Sequence, residues 1–174
     1  FYDYFSIDIQ KSDGTILSGV DRGKDGTVLA SVSEAGTYYI KLGASTYHDS
    51  GQYSLTLTEG AYNANYEREN NGYSPGGVGT LLTSEQKMLG QLHSGSDVDF
   101  YYIAASEAGS LTLDFDASTD SFYDYFKITL QDSSFNTLSS FETGKDAPIT
   151  AAVENAGNYW VKVEKSTYHD DGVY

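Results

Sequence analysis

YDYFKITLQ, residues 123–131, sets Asp124, Phe126, Ile128 and Leu130 against Tyr123, Tyr125, Lys127, Thr129 and Gln131 in strict alternation. Successive side chains of a strand point to opposite faces, so this spacing predicts a half-buried β-strand whose Phe, Ile and Leu row faces a core. The same period governs the neighbourhood. NYWVKV (158–163) puts Tyr159, Val161 and Val163 on one face and Asn158, Trp160 and Lys162 on the other. VDFYYIAA (98–105) and SLTLDFD (110–116), separated by SEAG, read as a hairpin. Turn signals recur between such runs, among them SDG (12–14), KDG (24–26), EAG (34–36), NAG (155–157) and DDG (170–172). Short strands at this spacing belong to sandwiches and barrels. Only TSEQKMLGQL (83–92) carries a helical-turn pattern, and Gly90 weakens it.

Moving outward, the opening strand proves to be one of two copies. Shifted by 121 positions, residues 1–53 fall on residues 122–174 without a gap, and 26 of the 53 pairs are identical. FYDYF, GKD, AG and STYHD recur as blocks, and the twin strand at 2–10 turns Asp3, Phe5, Ile7 and Ile9 inward. A period of this length matches one domain rather than one solenoid unit, so the expected arrangement is beads on a string. After Tyr53 the first copy continues into SLTLT (54–58), a short alternating strand. The chain is therefore read as the back half of one module (1–58), a linker (59–65) and a second module lacking its last strand (66–174). Either a longer parent protein or a neighbouring chain would supply the missing strand, since a bare sheet edge is a template for pairing.

A formal net charge of −15 disfavours nucleic acid and anionic membranes as partners, because both select a basic face. It suits an extracellular surface, a divalent-cation site, or simple solubility. There is no cysteine, so disulfides and thiolate metal sites play no part. No apolar run approaches the roughly 18 residues of a membrane span. The 16 Tyr and 18 Gly against 2 Pro suit strands and tight turns rather than a disordered tail. On SDVDFYYI, Asp97 and Asp99 begin the row of Tyr101 and Ile103, taken as core-facing. Carboxylates there need a cation or hydrogen-bond donors to meet them.

The ordered set YEREN-N (66–71), GQL (90–92), SDVDFYYI (96–103), SLTLDFD (110–116), DYFKITLQD (124–132) and AGNYWVKV (156–163) resembles the bacterial pre-peptidase C-terminal domain. It is also similar to the collagen-binding domain of clostridial collagenases. The resemblance implies an all-β chain of tandem jelly-roll-like β-sandwich modules, the first present only as its back half. It also implies a secreted or cell-surface location. In the collagen-binding relatives an E-x-E-x-N-D segment and the acidic pair of the SDxDY strand hold calcium. Carried across, this implicates Glu67, Glu69, Asn71, Asp97 and Asp99 in binding Ca²⁺, whose preference is for several hard oxygen ligands. Gly72 stands where relatives often carry Asp, which removes one ligand.

Large aromatics also fall on the outward rows, and Tyr and Trp offer rigid apolar area with a polar tip. In the collagen-binding relatives exposed tyrosines on the strand matching NYWVKV touch the ligand. The corresponding candidate surface is Tyr123, Tyr125, Trp160, Lys162 and Tyr168, with cross-strand pairing as the competing role. An enzyme is not expected. His48 and His169 are repeat-equivalent, His93 stands alone, and no nucleophile elbow, zincin or phosphate-loop motif occurs. The expected function is a non-catalytic structural or adhesive repeat module, one that can form an extracellular filament by strand sharing. Its partners would be neighbouring repeats, copies of itself, or an extracellular matrix protein or polysaccharide. The alternative is a substrate-targeting accessory domain of a secreted peptidase.

Overall fold

The architecture was obtained as a computed structural model, which describes residues 4–47, 51–67, 79–92, 95–118, 120–168 and 173–174. Among these residues the chain is all strand and loop. In order the strands are β1 (Phe5–Lys11), β2 (Ile16–Arg22), β3 (Tyr38–Ala44), β4 (Thr80–Leu81) and β5 (Val98–Ala105). They are followed by β6 (Gly109–Phe115), β7 (Ser121–Gln131), β8 (Thr137–Gly144), β9 (Ala147–Val153) and β10 (Gly157–Lys165). They form a three-stranded sheet β2-β1-β3, a five-stranded sheet β4-β5-β10-β7-β8 and a two-stranded sheet β6-β9.

The core lies where the five- and two-stranded sheets face each other. Phe126, Ile128 and Leu130 of β7 and Val161 and Val163 of β10 meet Phe115 of β6 and Ile149 and Ala151 of β9. All are buried, and the alternating row read from 123–131 supplies the centre, with Phe126 and Ile128 fully enclosed. Two inner faces meshing in this way make a β-sandwich.

The two copies of the repeat fold alike. β2-β1-β3 repeats the order β8-β7-β10, and registers correspond: Ile7↔Val20 and Ile7↔Leu42 in the first copy match Ile128↔Phe141 and Ile128↔Val163 in the second. Even the register shift recurs, at Ile9/Gln10 and at Leu130/Gln131. The Tyr38 hydroxyl donates to the Glu34 carbonyl at 2.7 Å, and Tyr159 does the same to Asn155 at 2.8 Å. The turn after each first strand needs a left-handed residue, Gly14 at φ 87° in one copy and Phe135 at φ 64° in the other. A side chain there is strained by roughly 1–2 kcal/mol. Phe135 offsets it by stacking on Trp160, ring centroids 5.4 Å apart. The first copy has no such ring over Gly14, and Tyr39, the counterpart of Trp160, is 55 % exposed.

Four sequence expectations require correction. β5 and β6 are not a hairpin: β5 lies between β4 and β10, while β6 pairs with β9 in the opposite sheet. The SEAG connection therefore crosses between layers, which lets both strands turn an apolar face to one core. Residues 83–92 form no helix; Leu89 bridges to Tyr66 and Gln91 to Val173 in extended pairings. Residues 54–58 are in no strand, and Leu55 and Leu57 are exposed. Asp124 is exposed rather than inward, because β7 breaks register between Ser121 and Phe126 and loses its alternation there. Asp3, its twin, lies outside the described residues.

Candidate functional site

Asp99 and Tyr101 stand two apart on the inward face of β5, as the alternation requires, and both are buried. Val173 and Tyr174 come to them by backbone pairing with Gly90 and Gln91. Gly90 N–H donates to the Tyr174 carbonyl at 2.9 Å, and Tyr174 N–H donates to the Gly90 carbonyl at 2.8 Å. Tyr174 then lies with its ring on Phe115 and Phe126, centroids 5.3 and 5.7 Å away. Gly90 has a packing reason: a Cβ there would sit 2.5 Å from the Tyr174 hydroxyl and 2.6 Å from that of Tyr101.

Glu67 completes the group. Its N–H donates to the Leu89 carbonyl at 2.9 Å, which places its carboxylate over the same point. One oxygen accepts from the Gln91 N–H and the other from the Tyr101 hydroxyl at 2.9 Å. The Tyr101 and Tyr174 hydroxyl oxygens are 3.0 Å apart, and Tyr174 donates to Asp99 at 2.5 Å. The result is a line, Glu67–Tyr101–Tyr174–Asp99, buried at Tyr101 and Asp99 and half-buried at Glu67 and Tyr174. It has three oxygen–oxygen contacts and two phenolic protons. With both carboxylates ionised, each phenol donates outward to its own carboxylate, and the central contact holds no proton.

Burial pushes both phenols well above their ordinary pKa. The negative charges of Glu67 and then Asp99 add to this for Tyr101, and those of Asp99 and then Glu67 for Tyr174. The phenols therefore stay neutral donors across the physiological range. Chemically, the arrangement meets two carboxylates, the buried Asp99 and the half-buried Glu67, with protein hydrogen-bond donors, and it gathers hard oxygens from three distant stretches of chain.

Of the expected metal ligands, Glu67 and Asp99 converge on this line. Asp97 is half-buried at the start of β5, with one carboxylate oxygen accepting from Val98 N–H at 2.9 Å. Glu69 and Asn71 lie outside the described residues. Among the described residues, no three His, Cys, Asp or Glu side chains are grouped to hold a metal. Tyr101 and Tyr174 are site residues that no sequence motif marks. The available signals were the period-two link of Tyr101 to Asp99 and the repeat-equivalence of Tyr174 with Tyr53.

The expected aromatic surface is divided. Tyr168 packs against Tyr123 and Tyr125 at 5.1 and 6.0 Å, and Tyr123 and Tyr168 are 59 % and 48 % exposed. Trp160 is elsewhere, half-buried beneath Phe135 and beside its register partner Tyr102 at 5.9 Å. Five residues separate Phe126 from Gln131 on β7, which pair with Lys165 and Trp160. At strand spacing that is roughly 17 Å. Lys162 is engaged with Glu164 at 2.7 Å. The Tyr125–Tyr168 pair recurs in the first copy as Tyr4 and Tyr47, centroids 6.2 Å apart. The histidines His48, His93 and His169 lie outside the described residues.

No protein-family model matches the chain, and no curated protein matches it.

Proposed function

We propose that this chain is a non-catalytic, secreted or cell-surface repeat module of the pre-peptidase C-terminal type, with a structural or adhesive role exercised by association with neighbouring copies. The observation that carries this reading is the duplication at the level of register. Strand order, bulge and the Tyr4–Tyr47 and Tyr125–Tyr168 pairs recur in both copies, so the chain presents equivalent surfaces along its length. Repetition of a surface multiplies weak contacts into avidity, which serves a structural or adhesive protein. Calcium belongs to the same proposal, at Glu67, Glu69, Asn71, Asp97 and Asp99. The oxygen-only donor set supports it, with the Glu67 and Asp99 carboxylates at the two ends of one hydrogen-bonded line. Sedimentation velocity over rising protein concentration tests the reading. Concentration-dependent association is expected, and a monomer throughout would overturn it.

A second reading, substrate targeting for a secreted peptidase, is favoured by one observation: the exposed Tyr123 and Tyr168 rings, clustered with the half-buried Tyr125. Binding to immobilised triple-helical collagen or polysaccharide that falls at least tenfold in Tyr123→Ala/Tyr168→Ala would support it. No binding by the wild type would remove it.

A further inference from the structure

In a three-stranded sheet the central strand has a neighbour on each side and should be the best covered. In β2-β1-β3 the cover falls instead on an outer strand. Ser18, Gly19 and Val20 of β2 are buried, whereas Phe5, Ile7 and Ile9 of the central β1 are only half-buried. The repeat sharpens the contrast, since the equivalent residues of β8, Ser139, Ser140 and Phe141, are half-buried, exposed and half-buried. Sequence and pairing are alike in the two strands, so the extra cover on β2 comes from outside its sheet.

Gln91 of the sandwich supplies it. Its polar side chain is buried, and both ends of the amide reach the first copy. Nε2 donates to the Thr27 carbonyl at 3.4 Å, and Oε1 accepts from the Ser18 hydroxyl at 3.5 Å. Both bonds are long, so their contribution is to give a buried amide its partners rather than to add much strength. Beside them Leu17 and Leu29 of the first copy meet Tyr66 and Leu89 around a cavity of about 20 Å³, room for a single water. The Gln91 backbone is fixed from the other side, its N–H donating to the Glu67 carboxylate. The connection between the two parts is also held at both ends. Ser31 of the first copy donates to the Asn63 carbonyl at 3.1 Å, while Leu89 N–H and the Gln86 amide donate to Asn65 at 2.7 and 2.8 Å.

We propose that β2 is a docking surface for residues 89–91 of the sandwich, and that Gln91 pins the first copy and the sandwich into one rigid body. Domains on a short connection swing by default unless a packed interface stops them. Here the clamped connection and the buried amide stop them, so the parts do not move as separate beads. The Tyr4–Tyr47 and Tyr125–Tyr168 pairs lie on opposite sides of this joint. They therefore keep one separation and one orientation, and a partner engages both only where its own spacing matches. Both faces of the joint lie within one chain, so it stands independently of the proposed association between copies.

A pair of spin labels on the whole chain reads the joint. The chain has no cysteine, and a Cβ at Gly43 or Gly109 meets nothing within 4 Å, so Gly43→Cys/Gly109→Cys puts one label on each side. Double electron–electron resonance, with labelled protein diluted into excess unlabelled protein, should give one narrow distance. Gln91→Ala in the same background should at least double the width of that distribution. Leu29→Asp, which enters the joint from a loop of the first copy, should do the same without touching a strand. Circular dichroism checks that each variant is folded, and Leu29→Asp decides alone if Gln91→Ala is not. A broad distribution in the labelled protein without either substitution overturns the rigid joint. A narrow one that the folded variants leave unchanged overturns the docking surface and the pin. A protein that sediments as a monomer throughout overturns the association between copies and leaves the joint standing.

Discussion

The phenol of Tyr174 donates a 2.5 Å hydrogen bond to the carboxylate of Asp99, joining residues 75 apart in the sequence inside the core. The same tyrosine touches Phe115 and Phe126 with its ring and Gly90 with its backbone. One residue thus links both sheets of the sandwich to the segment that carries Glu67. Its equivalent, Tyr53, has only the aromatic part of this role and is 62 % exposed.

Tyr174→Phe leaves the ring contacts and removes the donor from a buried carboxylate. The expected loss is about 1–3 kcal/mol of unfolding free energy, as for other unsatisfied buried acceptors. Tyr53→Phe should stay within about 0.5 kcal/mol, because surface changes rarely exceed that. Urea denaturation of the two variants side by side checks the contrast; equal losses would contradict it.

Stability should fall in alkali. Both phenols have folded-state pKa values raised by burial first and then by the Glu67 and Asp99 charges. Above the unfolded value of about 10 the unfolded chain releases protons that the folded chain keeps, so the stabilisation is complete below pH ~10 and declines above it. Each phenol contributes a slope of about 1.4 kcal/mol per pH unit in that range. Melting temperature followed with tyrosinate absorbance should show the two phenols ionising only on unfolding, and Tyr101→Phe should halve the slope they add.

Gly90→Ala should destabilise the sandwich by about 1–3 kcal/mol, the usual cost of forcing an extra methyl into a packed site. The added carbon would press on the Tyr101 and Tyr174 hydroxyls and push the Tyr174 ring from its position. Gly109→Ala at the start of β6 is the control, since a Cβ there meets nothing within 4 Å. Thermal melts of both variants decide the matter.

Calcium added to chelator-treated protein should release or absorb heat and raise the melting temperature. Glu69→Gln and Asp99→Asn should each weaken that response at least tenfold. Isothermal titration alongside melting curves is the check. No heat and no shift would remove the ion and leave the two carboxylates to protein donors, among them Tyr101, Tyr174 and the Gln91 N–H.

Local pattern alone determined the all-β class, the inward row Phe126–Ile128–Leu130, the burial of Tyr159, Val161 and Val163, and the twofold repeat. Each depends on a period of two or on identity at a constant offset, and neither needs knowledge of distant neighbours. Burial of Asp99 was legible for the same reason. What meets its charge was not, because Tyr174 arrives through pairing with Gly90, a contact between segments far apart in the chain. Tertiary structure also placed β5 and β6 in opposite sheets, since two strands with short polar links and apolar faces can pair or can cross a core equally well by pattern. It exposed Asp124 through a bulge that alternation cannot register. And it left Ser54–Thr58, a strand by pattern, outside every sheet among the described residues, because a strand exists only where another edge accepts its backbone hydrogen bonds.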